Sequence, residues 1–400
     1  VSDEQRLRDG LESIAVPPSR VRIETVLPIA RQRALRRTAA RTAVGAALAV
    51  GVLVGVPSVL LRPTAAKTPP APALQRPSSV PAPASPAACR VGELAAPKGL
   101  TNITADAVDP TGRYIVGNGT EGQDFRPVLW SDGVPKALPV IADSVQATAV
   151  NPSGVVVGLL TRKNRDTVFR YENGRYTELK LPAGQWHPYP EPAINAAGDV
   201  VINAEPRGNT GGKGAIALLW RAGSATSVRL PLPEGGHVQE IRDDGTLVGG
   251  IYKDGGADTA WVWNPNGKGT RLTVPSGRTG QGYAISGDWV TGGIWPSGSA
   301  ALWNLRTGKL TEIEGDSDPG IAVNASGWMV TSTGRLVRAG EDAELPATGD
   351  DQESLAQDVA DTGLVVGTAV TRRDPVEEQK LREAGGVIPA EPQAPRIWQC

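Results

Sequence analysis

Only two side chains in the 400 residues offer imidazole chemistry, His187 and His237. A serine hydrolase set needs a nucleophile, a base and an orienting acid brought together, and no Gly-x-Ser-x-Gly stretch announces one. Two cysteines, Cys89 and Cys400, are too few for a zinc cluster and enough for one disulfide. The acidic runs EGDSDPG from Glu314 and EDAELPATGDD from Glu341 lack EF-hand spacing and read as solvated loops. No catalytic set, metal site or cofactor is therefore expected. What remains is recognition chemistry. Arg162, Lys163 and Arg165 lie in one stretch and Arg207 and Lys213 in another. Trp186, His187 and Tyr189 sit among prolines, and Trp295 precedes Pro296. Basic side chains beside rings on loops suit an acidic glycan or a peptide. Residues 89–400 carry 29 basic and 37 acidic side chains, which argues against nucleic acid as the partner.

The elements that position these residues begin after a different kind of sequence. Residues 1–41 carry nine arginines against five acids, and residues 42–61 (TAVGAALAVGVLVGVPSVLL) carry no charge. Twenty helical residues span roughly 30 Å, the thickness of a bilayer core. The five arginines from Arg31 to Arg41 precede it, so the positive-inside rule places the N-terminus in the cytoplasm. A cleaved signal peptide fits less well, because its charged leader would be longer than a whole signal peptide. Residues 62–88, with eight Pro and eight Ala, read as an extended linker. Leu7, Leu11 and Ile14 form one short apolar stripe in a segment that resembles the cytoplasmic leaders of membrane proteins from high-GC Gram-positive bacteria.

From residue 89 the chain repeats. ADAVDPTGRYIVGN from Ala105, ATAVNPSGVVVGLL from Ala147 and EPAINAAGDVVINA from Glu191 overlay one another. So do VQEIRDDGTLVGGI from Val238, GYAISGDWVTGG from Gly282, GIAVNASGWMVTST from Gly320 and AQDVADTGLVVGTA from Ala356. Each reads as a strand, an Asn/Asp-x-x-Gly turn and a β-branched strand. A second half follows with an aromatic strand, a tight turn and a strand ending near Leu and often Pro, as in PVLWSDGVPKALP from Pro127. The unit from Gly334 lacks the aromatic. Four short strands in about 40–45 residues match a propeller blade. Neighbouring blades must cover each sheet, and the regularly placed Trp residues fit that packing.

AINAAGDVV and AVNPSGVVVG resemble the HAF family of extracellular repeats, whose unit runs roughly INxxGxVVG and then an HAFLW-like strand. VLW, VFRY, LLW, WVW and ALW stand in for the latter, and no unit keeps its histidine. The resemblance covers about residues 100–400. The family has no agreed enzymatic activity, so the resemblance implies a propeller fold and an extracellular location more than a function.

The seventh unit ends at Cys400 without a fourth strand, and CRVGELAAPKG from Cys89 has the form of that strand. The expected fold is therefore all-β: a seven-bladed β-propeller over 89–400 with an N-terminal strand clasp, preceded by one transmembrane helix and a Pro/Ala-rich linker. Cys89 and Cys400 then flank the missing turn and are expected to form a disulfide. The turns between first and second strands share the face that carries the linker. The connections between second and third strands open on the opposite, distal face. So do Pro182–Glu191 and the insertion from Thr371, where Asp374 reads as the N-cap of a short helix ending near Gly385. Arg162, Lys163, Trp186, His187, Tyr189, Arg207 and Trp295 are thus the candidate ligand-binding residues. The expected function is binding of an extracellular protein, peptide or glycan by a membrane-anchored propeller. A propeller enzyme of lyase or lactonase type, or a signal transducer acting through residues 1–41, are the alternatives.

Overall fold

The computed structural model describes residues 89–400 apart from 123, 210–211, 254, 314–316, 351, 375–376, 378–379 and 381–390. The expected cytoplasmic segment, membrane helix and linker, and most of the expected insertion helix, lie outside the described residues. At the edge of the insertion, the Glu377 amide donates to Asp374 Oδ1 at 3.3 Å, the contact expected of an N-cap.

Seven antiparallel sheets follow one another along the chain. Blade 1 runs Ala107–Val108, Tyr114–Glu121, Asp124–Ser131 and Val134–Ala137. Blades 2, 4, 5 and 6 repeat this order from Ser144–Val150, Gly236–Ile241, Thr279–Ser286 and Gly320–Val323. Each first strand touches the first strands of both neighbouring blades, so the seven first strands form the inner ring. Blade 3 differs from the expected four strands. Its inner strand is split into Trp186–Pro188 and Ala193–Ile194, which pair with opposite ends of Val200–Pro206. Pro190 and Pro192 stand at the break, and a proline has no N–H for the ladder.

The repeat motif now has a physical account. Gly112, Gly154, Gly198, Gly245, Gly287, Gly327 and Gly363 all have φ between 53° and 92°, the left-handed turn position. Turn asparagines act twice. Asn151 Oδ1 accepts from the amides of Ser153 and Val155, and its Nδ2 donates to Asn195 O of the next blade at 3.2 Å. Asn195 reaches Arg242 O, and Asn324 reaches Ala360 O, in the same way.

The glycine of the second strand answers a bulge in the first. The register slips between Ala147 and Ala149, Val238 and Glu240, Gly282 and Ala284, and Ala356 and Asp358. Each slip pushes a carbonyl toward the second strand. A Cβ on Gly158, Gly249 or Gly292 would lie 1.9 Å from the oxygen of Gln146, His237 or Gln281, and on Gly367 2.1 Å from that of Leu355. Blade 3 has no inner bulge at this point and carries Ile202 instead.

The third-strand aromatics fill the seams between blades. Trp130, Trp220, Trp263, Trp303 and Trp398 are buried. Four of their indoles donate backwards to the end of the preceding blade: Trp130 to Ala95 O, Trp220 to Lys180 O, Trp303 to Thr273 O and Trp398 to Pro346 O, at 2.7–3.2 Å. Those carbonyls lie where the outer strand ends and would otherwise be orphaned.

Ring closure follows the expected clasp. Arg90–Glu93 pairs with Gln393–Gln399 as the outer strand of blade 7. Cys89 and Cys400 are disulfide-bonded with Cα atoms 4.2 Å apart.

Candidate functional site

The distal ends of blades 3, 4 and 5 bring together an arc of rings. Tyr189 follows the first half of the split inner strand of blade 3. Its ring centroid is 5.6 Å from that of His237, edge to face. His237 lies near the distal end of the inner strand of blade 4 and stacks on Tyr252 at 4.6 Å and 28°. Tyr252 hydrogen-bonds Tyr283 of blade 5, and Tyr283 stands perpendicular to Trp295 at 6.3 Å. Tyr189, Tyr252, Tyr283 and Trp295 are half-buried. His237 is 5% exposed.

The strand geometry explains why these residues meet. Tyr283 is the extra residue of the blade 5 bulge, the position held by Thr148, Gln239 and Gln357 in blades 2, 4 and 7. A bulge re-aims its side chain, so the tyrosine leaves the seam for the inner ring. Trp295 pairs with Thr279 at the distal end of the same blade.

The polar groups of the arc are neutral or tied down. Burial lowers the His237 pKa to about 4, so the ring is uncharged at neutral pH. Burial raises the Tyr252 phenol to about 12. The Tyr189 phenol is also raised, first by burial and then by the neighbouring Glu205, to which it is hydrogen-bonded. Glu205 Oε2 also accepts from the Gly212 amide at 3.1 Å and from Asn209 Nδ2 at 3.4 Å, and Gly212 lies against Tyr189 and His237. Two buried atoms lack partners: Nε2 of His237 and Oε1 of Gln281, a side chain that is fully buried. Gln281 enters the space left by Gly250, where a Cβ would lie 2.1 Å from its Oε1.

The remaining sequence-derived residues divide into two groups. His187 is in the strand Trp186–Pro188 rather than in a loop, because that segment pairs with Ala204–Pro206. Its Nδ1 lies 3.9 Å from Asp166 Oδ2 of blade 2, while Asp166 Oδ1 accepts from Thr161. Trp186 packs on the blade 2–3 core and donates to Ala183 O. Arg162 is committed to Glu178 and to Ile141 O. Lys163 occupies the turn at φ 47°, its amide bonded to Asp143, and it is exposed, as are Arg165, Arg207 and Lys213. The structure thus joins Tyr189 to Trp295 through His237, Tyr252 and Tyr283, none of them among the expected ligand-binding residues. The bulge column of the repeat alignment, where one tyrosine stands against Thr148, Gln239, Ile321 and Gln357, was the signal for Tyr283.

Two carboxylates lie deeper in the inner ring. Glu240 accepts from the Ile285 amide of blade 5 at 2.6 Å, and Asp358 from the Val108 amide of blade 1 at 2.9 Å. Burial raises Glu240 to about 8 and Asp358 to about 6, against those hydrogen bonds. At the same column the other blades carry alanine: Ala107, Ala149, Ala193, Ala284 and Ala322. Both acids stitch blade to blade. Among the described residues no three His, Cys, Asp or Glu side chains converge on a metal-sized point.

Neither a protein-family model nor a curated protein sequence matches the chain. Solved structures do. An oligogalacturonate lyase from Vibrio parahaemolyticus superposes with a TM-score of 0.51 at 9% identity, covering 78% of this chain and 97% of that one. A virginiamycin B lyase from Staphylococcus aureus gives 0.45 at 11% identity, over 78% and 99%. A gluconolactonase from Xanthomonas campestris gives 0.41 at 13%, over 78% and 89%. The chain is a seven-bladed β-propeller. Likeness at 9% identity extends to the fold, and one fold hosts many chemistries.

Proposed function

We propose that this propeller is an extracytoplasmic binding module whose distal face, at blades 3–5, takes up the ligand. The observation that carries the reading is the half-buried arc of Tyr189, Tyr252, Tyr283 and Trp295, with two unpartnered buried polar atoms beside it. Large rings with polar tips, partly open to water, are the side chains that recognition surfaces favour. The anchor is the charge-free segment 42–61 with arginines on its N-terminal side. It places residues 1–41 in the cytoplasm and holds the propeller outside through the proline-rich linker. A disulfide at the clasp suits an oxidising compartment.

Binding of the full chain to peptide and polysaccharide fractions, with and without Tyr283→Ala and Trp295→Ala, tests the reading. Loss of a specific ligand in both variants supports the distal face as the site. Equal retention of every fraction by wild type and variants excludes it.

A second reading, a propeller enzyme of lyase or lactonase type, rests on the His187–Asp166 pair at the distal end of the blade 2–3 seam. A base that catalyses proton transfer must come within about 2.6–3.2 Å of its partner once the substrate is in place. His187→Gln would abolish turnover under that reading and leave ligand binding intact under the first.

A further inference from the structure

We propose that the distal mouth of blades 3–5 is a saccharide site, in which an oligosaccharide lays its C–H faces on Trp295 and Tyr283 and directs its hydroxyls to the polar groups of the arc. The inference rests on the binding-module reading and names its ligand class. Trp295 and Tyr283 stand perpendicular, 6.3 Å apart, so they form a corner rather than a mutual stack. Each keeps ring surface that a sugar's apolar face can cover. A hydroxyl both donates and accepts, which is what the neighbouring groups require. His237 Nε2 and Gln281 Oε1 are buried and unpartnered on adjacent strands, one at the blade 3–4 side and one at the blade 4–5 side. A buried group left unpaired is costly; Gly212 covers His237 Nε2 and Gly250 covers Gln281 Oε1, so a hydroxyl pairs with either atom once the backbone over it shifts.

Other ligand classes fit less well. A quaternary ammonium wants several free ring faces around one point, yet His237 and Tyr252 stack on each other at 28°. Glu205, the carboxylate that contacts Tyr189, is already engaged by that phenol, Asn209 and the Gly212 amide. Peptide capture by strand addition needs an unpaired backbone edge. The unpartnered atoms beside the rings, His237 Nε2 and Gln281 Oε1, are on side chains and are not met by a main-chain ladder. The arc crosses three blades, a span that suits several linked sugars better than one. Arg207 and Lys213 lie exposed on the loop beside Tyr189, so sugars bearing carboxylates belong to the same class and are separated from neutral ones by the test.

The experiment is calorimetric titration of the full chain with three hexasaccharides, a β-1,4-glucan, a β-1,4-linked N-acetylglucosamine polymer and a 1,4-linked uronate, alongside a nonapeptide library. Wild type is expected to bind at least one hexasaccharide. Trp295→Ala and Tyr283→Ala are each expected to weaken that binding by about 10-fold or more. Tyr283→Phe, which keeps the ring, should stay within about 3-fold, and Val134→Ser, on the outer strand of blade 1, should change nothing. Unaltered melting temperatures show that the ring-deleted variants fold. Failure of all three hexasaccharides to bind, or binding indifferent to both ring deletions, overturns the proposal. Peptide binding that Trp295→Ala abolishes, without saccharide binding, overturns the saccharide assignment and leaves the distal-face reading standing.

Discussion

At the scale of single residues the fold is held by side chains that reach into the next blade, and buried titratable groups shape its response to pH. Glu240 has a folded pKa of about 8 against an ordinary 4.5. Between those values the folded state binds more protons than the unfolded one, so stability falls as pH rises through that window. His237 works in the opposite sense. Its folded pKa of about 4 lies below 6.5, so it favours the folded state more as pH rises from 4 to 6.5. Above 6.5 only the Glu240 limb of this pair remains. Wild type is expected to lose melting temperature between pH 6.5 and 8, and Glu240→Gln to stay level. The variant should melt about 2–4 °C higher at pH 8, since its amide oxygen still accepts from Ile285. A steeper decline in the variant would show that the carboxylate's charge is stabilising. Gly158 gives a second prediction at this scale. A methyl there meets the Gln146 carbonyl at 1.9 Å, so Gly158→Ala should destabilise by about 3 kcal/mol. Gly133→Ala meets nothing within 4 Å and is strained only by its φ of 77°, so about 1 kcal/mol is expected. Chemical denaturation distinguishes the two.

At the scale of elements the clasp decides how the ring stays closed. Four residues, Arg90–Glu93, supply the outer strand of blade 7, and its neighbour Gln393–Gln399 places Trp398 in the seam with blade 6. The disulfide closes a loop of 311 positions. Chain-entropy reasoning gives roughly 5–6 kcal/mol as a ceiling for so long a loop. The strand pairing already restrains both ends, so about 2–4 kcal/mol is the expected loss for Cys400→Ser. Hydrogen exchange should then quicken first in blades 7 and 1, with blades 3–5 still protected. Uniform loss of protection across all seven blades would mean that the ring opens as one cooperative unit. Both the clasp and the blade count were legible in the sequence, because each blade is a local unit with its own turn and, in all but blade 6, its own seam aromatic. The split inner strand of blade 3 was not, although the prolines that cause it were in view. Whether a strand survives two prolines depends on what its neighbour offers at each end, here Ala204–Pro206 and Val200–Val201.

At the scale of the whole molecule the prediction concerns topology. If residues 42–61 cross the membrane with the N-terminus inside, protease added to intact cells should remove the propeller and leave a fragment containing residues 1–41 protected. A mature chain released to the medium and starting near residue 67 would contradict the anchor. Among the described residues no helix is long and apolar enough to cross a membrane, and the predicted span precedes them. The sequence by itself determined the architecture: the turn glycines recur in all seven units, the second-strand glycines and seam aromatics in most of them, and the two cysteines mark where the ring closes. It also led to the expectation that Arg162, Lys163, Trp186, His187, Tyr189, Arg207 and Trp295 share one face. It did not determine which of them act together. Arg162 is spent on Glu178, while Tyr189 and Trp295 are linked by His237, Tyr252 and Tyr283, from two strands of blade 4 and a bulge of blade 5. That choice depends on which side chains a bulge turns inward and which seam leaves a buried nitrogen or oxygen unpaired, and both are set only when seven separately specified blades close into a ring.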